Sequence, residues 1–381
     1  MKHISILGAT GSIGLSTLDV IDQHPEIFQL DTLVAHRNVD GMLALIKKFH
    51  PRSAIMTDDL AAKALLTQNT SSTTIESGMD AAIAAAKSSL SDTVVAAMVG
   101  AAGLPATLAA VTAGKDVCLA NKECLVTAGR LFMDAAKKHH ARIIPIDSEH
   151  AAVHQALQGH DHDSVRRIIL TASGGPFRLR SVESLHNITP EEAIAHPNWA
   201  MGAKISIDSA TMMNKALELI EARWLFDIAP DQLEAIIHPQ SIVHAMVEYT
   251  DGNVLAQMAM PDMRAPIAYA LQPHLRIHSG VAWLELAMQQ DLSFFAIDVA
   301  RFPAMNMVAE VMRGDDGHAV VMNAANEIAN AAFRQRRIGF MDILPLVERA
   351  LTDIAITPVH QLHDIWALDQ HTRIKTEEFI H

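Results

Sequence analysis

Asp147 and Glu149 stand two residues apart in the run PIDSEH, which closes an apolar stretch at 142–146. In extended backbone both side chains face the same side. Paired hard oxygens without a Cys or His ligand set suit Mg²⁺ or Mn²⁺ rather than Zn²⁺. A second group lies in ATMMNKALELIEARWLF. Asn214 and Glu218 are i,i+4, and Lys215 and Glu218 are i,i+3, so all three share one helical face. Taken alone, that helix is better described by a surface ion pair between Lys215 and Glu218, and its surroundings weaken that reading. The other reading is a phosphate pocket. Ser209 and Thr211 stand where they would cap the helix start, and free amides there attract an anion. Ser173, in the glycine-rich TASGGPF, could also reach phosphate. HPNWAMG sets His196 and Trp199 in a polar loop, and an exposed Trp in such a loop often serves as a lid.

The chain opens with a different kind of signal. LGATGSIG joins an apolar run to a helical pattern, with Gly8, Gly11 and Gly14 evenly spaced. Glycines there permit a tight turn and close approach of backbone to a pyrophosphate, which the helix N-terminus stabilises. The second apolar run ends at Ala35. An acidic residue at that point would mark NAD(H); this chain has His36-Arg37-Asn38. Arg37 can pair with a 2′-phosphate, which favours NADP(H).

These groups need a scaffold. Apolar runs at 5–7, 28–35, 54–56, 93–99, 117–120 and 142–146 alternate with helical stretches, which predicts a doubly wound parallel sheet. Such a sheet gathers functional groups at its carboxyl edge, where 121–123 and 147–149 would emerge. Beyond residue 148 the expected strands are 167–171, 204–208, 235–237, 242–249 and 254–260. The Asp251-Gly252 pair predicts a hairpin and an antiparallel or mixed sheet. From residue 303 the periodicity is helical and predicts a small bundle. The expected division is 1–147 for a Rossmann-like nucleotide domain and 148–272 for a central α+β catalytic and dimerisation domain. A connector at 273–302 and a helical domain at 303–381 complete it.

Composition narrows the function classes. The chain has 381 residues, half of them apolar, and a net charge of −13. That charge argues against a nucleic-acid binder, which needs a basic footprint. It is compatible with an anionic substrate met by local positive charge. Cys118 and Cys124 cannot build a disulfide framework, so a reduced cytoplasmic compartment is expected. Met1 leads almost at once into a strand, so no secretory leader is expected. The uncharged stretch 94–114 is long enough to suggest a membrane span, but its Ala, Gly, Thr and central Pro make a strand, a turn and a helix the better description. A semialdehyde-type dehydrogenase would use an activated Cys, and a non-catalytic nucleotide sensor would need no carboxylate cluster.

Together the segments resemble the 1-deoxy-D-xylulose 5-phosphate reductoisomerase family, the second enzyme of the methylerythritol phosphate route to isoprenoids. The resemblance is carried by ILGATGSIGLSTLDV, LANKECLVTAGRLFMDA, PIDSEH, SGGPF, HPNWAMGAKISIDSATMMNKALELIEARWLF, IIHPQSIVHAMVEY, DGNVLAQMAMPDMR and NAANEIA. It implies an NADPH-dependent oxidoreductase acting as a homodimer on a small sugar phosphate. Thr10, Gly11, Ser12 and Ile13 would hold the cofactor phosphates, and Arg37 and Asn38 its 2′-phosphate end. Asn121, Glu123 and Gly202 would line the same site. Asp147, Glu149 and Glu218 would bind the divalent metal. Lys122, Ser148 and Glu149 would meet the substrate near its reacting carbonyl, with Lys122 and Glu149 handling protons. Ser173, Ser209, Asn214 and Lys215 would hold its phosphate, and His196, Trp199 and Met201 would close over it. The implied reaction is a metal-assisted skeletal rearrangement, by retro-aldol or α-ketol shift, followed by hydride reduction to 2-C-methyl-D-erythritol 4-phosphate. The family commonly carries glycine where this chain has His36 and Ala172.

Overall fold

Unbroken apolar strands and the helices between them build the first of two units. A computed structural model describes residues 1–195, 202–289 and 291–380. The first unit comprises Met1–Cys124, Phe132–Ala151 and Asp262–Ala282. Its strands are β1 (Lys2–Leu7), β2 (Phe28–Ala35), β3 (Ser53–Met56), β4 (Thr74–Ser77), β5 (Thr93–Ala96), β6 (Asp116–Leu119) and β7 (Arg142–Pro145). They pair in parallel in the order β4-β3-β2-β1-β5-β6-β7. The order reverses between β1 and β5, and crevices for ligands form at the carboxyl ends of strands flanking such a reversal. β4 is absent from the expected strands because TIES is a largely exposed edge without an apolar run. The expected strand 93–99 stops at Ala96.

Ile4, Ile6, Leu18, Leu33 and Met56 pack the core of this unit, and Ile267 and Leu271 join them. Those last two belong to the helix Arg264–Leu271. Lys2 Nζ donates to Leu271 O at 3.0 Å, Arg264 pairs with Asp19 at 2.9 Å, and a His24 ring nitrogen lies 2.6 Å from His278 O. Residues 262–282 therefore depart from the expected borders at 272 and 273. Their local pattern is helical, and only distant partners assign them to the first sheet.

The second unit comprises Leu125–Leu131, Ala152–Pro261 and Trp283–His381. Its strands β8 (Val165–Ala172), β9 (Leu233–Ile237), β10 (Val243–Tyr249) and β11 (Val254–Met258) lie in the order β11-β10-β8-β9. Only β8 and β9 run parallel, which makes the mixed sheet expected of an α+β region. The hairpin forms at Gly252, where φ is +86° and Tyr249 N bonds Asn253 O at 2.9 Å. The helices Ala304–Arg313, Asp316–Arg334, Ile343–Asp353 and Leu362–Phe379 form the expected helical region. No described helix is long and apolar enough to cross a membrane.

One expected strand is wrong. Residues 204–208 are helical, within Ala203–Ala210. The alternation in KISID mimics a strand, but Lys204 pairs with Asp208 at 2.9 Å across one helical turn. The next helix, Met213–Leu225, is separate. Met212 turns between the two in the left-handed region, φ +63°, and no side chain caps the second helix. Ser209 thus lies inside the first helix and Thr211 ends it, so neither is the helix-start cap their positions suggested.

Candidate active site

β1 runs into Gly8, which turns with φ +95° beside the end of β5. A Cβ on Gly8 would lie 2.4 Å from Ala97 O, and one on Gly14 would lie 2.4 Å from Gly8 O. No side chain fits at either position. Gly11 is roomier, with 3.4 Å to Gly8 O. It precedes the helix Ser12–Asp22, whose N-terminus has no side-chain cap. Backbone amides at Ser12 and Ile13 are therefore presented at the strand-order reversal, next to Thr10. This is the arrangement that receives a pyrophosphate.

Beyond β2, Arg37 extends into solvent with its Nε donating to Asp58 Oδ2 at 2.7 Å. Asp58 also accepts from Ala61 N at 3.0 Å. That backbone bond, then the guanidinium, holds its carboxyl below the usual range. Asn38 caps Val39–Phe49 by accepting from Gly41 N at 2.9 Å. His36 Nδ1 lies 2.9 Å from Thr57 Oγ1. A fixed, exposed guanidinium at this edge suits a 2′-phosphate.

β6 and β7 are neighbours, so residues 121–123 and 147–149 emerge side by side as expected. Asn121 is buried and donates to Gly100 O at 2.9 Å, pinning the loop after β5. Glu123 is buried at the start of Glu123–His139. Lys122 Nζ meets Asp147 Oδ2 at 3.0 Å. The helix Ser148–Ala156 begins directly after Asp147, so helical rather than extended backbone sets the pair. One oxygen each of Asp147 and Glu149 still lie within 4.8 Å. Ser148 Oγ donates to Glu149 Oε2. His150 has no role in the sequence reading. It is fully buried, with Nδ1 3.9 Å from Asp147 Oδ1, and its place three residues after Asp147 at a helix start is the signal that could have found it.

The second unit holds the other group. Lys215 and Glu218 form an ion pair, and Asn214 Nδ2 donates to Glu218 Oε1. The side chains of Lys215 and Glu218 are only 4% and 2% exposed. That overturns the surface ion pair. A pair so deep carries a desolvation penalty that often cancels its attraction, which makes it poor as a stabiliser. Ser173 Oγ accepts from Gly175 N at 3.2 Å. Gly175, φ +66°, passes so close that a Cβ would lie 2.9 Å from Ser209 O. The Ser173 loop and Ser209 are thereby brought together. Gly202 precedes Ala203–Ala210 and is exposed. His196, Trp199 and Met201 lie outside the described residues.

Neither cysteine fits a nucleophile. Both are buried, and burial pushes the Cys118 thiol up to about 12. A thiol so far from ionisation is inert at neutral pH.

Three family models match, covering most of the chain. That for 1-deoxy-D-xylulose 5-phosphate reductoisomerase matches residues 4–129, its C-terminal domain 143–226, and a further DXP reductoisomerase C-terminal domain 258–375. The curated reductoisomerase of Ralstonia nicotianae is 50% identical over all of this chain and 98% of its own length. The chain belongs to the 1-deoxy-D-xylulose 5-phosphate reductoisomerase family. The reductoisomerase of Geotalea daltonii is 49% identical over all of this chain and 99% of its own length. Among solved reductoisomerases, one in complex with NADPH, fosmidomycin and magnesium superposes with a TM-score of 0.95 at 43% identity, covering all of this chain and 98% of that one. Another, from Zymomonas mobilis in complex with NADPH, gives 0.94 at 44% identity over all of this chain and 99% of that one. Membership sets aside both the semialdehyde-type dehydrogenase and the non-catalytic sensor.

Proposed function

We propose that this chain converts 1-deoxy-D-xylulose 5-phosphate to 2-C-methyl-D-erythritol 4-phosphate with NADPH, and that Asp147, Glu149 and Glu218 hold a divalent cation, Mg²⁺ or Mn²⁺. The burial of Glu218 carries the site assignment. Carboxylate oxygens are the hard donors these cations select, and one held out of water beside Lys215 and Asn214 is costly as a mere stabilising pair, which favours a binding role. When bound, the cation supplies Lewis acidity and NADPH supplies the hydride.

The chain's own residues bind, orient and move protons. The amides of Ser12 and Ile13, with Thr10 and Gly11 beside them, receive the cofactor pyrophosphate, and Arg37 and Asn38 receive its 2′-phosphate. Asn121, Glu123 and Gly202 line the same cofactor. Lys122, ion-paired with Asp147, donates a proton toward the substrate oxygen as charge develops there. Ser148 orients Glu149, which accepts a hydroxyl proton. Ser173, Ser209, Asn214 and Lys215 hold the substrate phosphate, Lys215 supplying the charge.

A homodimer in the cytoplasm completes the proposal. β11 is an edge strand of its sheet and exposes Val254 and Leu255, and an edge with exposed apolar side chains invites pairing with a second copy. Light scattering on the purified protein reads the mass. The activity test uses purified protein, NADPH, Mg²⁺ or Mn²⁺ and 1-deoxy-D-xylulose 5-phosphate. NADPH consumption is expected and should stop with EDTA. Turnover that survives EDTA overturns the metal assignment.

A further inference from the structure

The stretch NAANEIA carries no chemistry in the reading above, yet its helix, Asp316–Arg334, presents Asn323, Asn326 and Asn330 with no exposure at all. Two of them meet one carboxylate. Asn326 Nδ2 donates to Asp208 Oδ1 at 3.0 Å, and Asn330 Nδ2 donates to the same oxygen at 2.9 Å. Asn330 also reaches Lys204 O at 3.0 Å. The other Asp208 oxygen faces Lys204 Nζ at 2.9 Å. Asp208 itself is 1% exposed.

The clamp sits at one end of an elbow. Ser209 follows Asp208 directly, and its carbonyl is the atom against which Gly175 packs. Thr211 Oγ1 lies 3.2 Å from Asp208 O and accepts from Met213 N at 3.4 Å, so the same turn is tied to the start of the next helix. Met212 makes the turn in a backbone region that side chains rarely adopt. The amide oxygens of Asn326 and Asn330 are buried without a hydrogen-bond partner. A core selected for stability alone would place apolar residues there.

We propose that Asp208, clamped by Asn326 and Asn330, is a positioning residue for the substrate phosphate. It fixes the elbow 209–213, so that Ser209, Asn214, Lys215 and the Ser173 loop keep one spacing around a single anion. The helical region thereby takes part in substrate binding without touching substrate. This rests on the phosphate-pocket reading of Ser173, Ser209, Asn214 and Lys215.

The test compares Asn326→Ala, Asn330→Ala and the double variant with Asn323→Ala. Asn323 is equally buried on the same helix but contacts Glu327 instead of Asp208. KM and kcat for 1-deoxy-D-xylulose 5-phosphate, NADPH affinity by fluorescence, and Tm are measured for each. Asn326→Ala and Asn330→Ala should each raise KM about tenfold, the factor for one lost charge-assisted hydrogen bond. Their kcat and NADPH affinity should stay near those of the parent. Asn323→Ala should lower Tm to a similar degree and leave KM alone. A KM unchanged in the two clamp variants, or raised equally in Asn323→Ala, overturns the positioning role. If the double variant fails to fold, the single variants decide. Lys215→Met separates the two layers: an unchanged KM there overturns the phosphate reading itself, whereas a raised KM there with unchanged clamp variants overturns the clamp alone.

Discussion

The nucleotide end of the first unit and the charged elbow of the second are both proposed to hold phosphate, by opposite means. The first uses backbone. Gly8 and Gly14 leave no room for a side chain, the helix Ser12–Asp22 has no side-chain cap, and Arg37, beyond the second strand, stands in solvent held by Asp58. The second uses buried side chains. Lys215 and Glu218 are paired out of reach of water, and Asp208 sits clamped between helices. A backbone site costs the fold little and tolerates change only where space allows it, as at Gly11. A buried ionic site is expensive to assemble, and losing one partner strands the other.

That contrast orders the expected effects of mutation. The largest belongs to the buried site. Glu218→Gln should cut kcat at least about a hundredfold as a metal ligand is lost. It should also remove any rise in Tm on adding Mn²⁺, read by thermal shift. A variant that keeps its Mn²⁺-dependent Tm would break the comparison, since Glu218 would then be only structural. The next effect tests whether the backbone site is a matter of space. Gly14→Ala should destabilise the protein by about 1–3 kcal/mol through overpacking and weaken NADPH binding. Gly11→Ala, with 3.4 Å to its nearest neighbour, should cost little in denaturant unfolding. Equal losses in the two would show that the loop resists any change, whatever the space. The smallest effect is at the exposed cation. Arg37→Ala should weaken NADPH by about tenfold, one charge-assisted contact, and leave NADH affinity unchanged in a fluorescence titration. A parallel loss for NADH would sharpen the comparison by making Arg37 a general anchor.

The same contrast explains what could be read from the chain before its fold. Glycine spacing is a local signal, so Gly8, Gly11 and Gly14 announced their turn. β6 and β7 announced the edge that carries Lys122 and Asp147. The elbow was opaque. KISID alternates as a strand does, and only the pairing of Lys204 with Asp208 and the reach of Asn326 and Asn330 across more than a hundred residues make it a helix with a clamped end. Lys215 and Glu218 had helical spacing, but spacing does not say whether a face looks at water. Burial settled that. β4 was invisible because an exposed edge strand carries no apolar run. His150 is one of 21 histidines, and only its place three residues after Asp147 at a helix start sets it apart from solvated ones.

The helix Arg264–Leu271 has a consequence for synthesis. It closes the core of a sheet whose seventh strand ends at Pro145, so more than a hundred further residues must leave the ribosome before that core is complete. Domains that fold as they emerge usually do so in order from the N-terminus. Here the nascent sheet waits with Lys2 and Asp19 unpaired to their late partners, Leu271 and Arg264, while the whole of β8 to β11 is made. Cutting the gene after residue 147 would therefore yield a sheet with one flank bare, prone to stick to its neighbours.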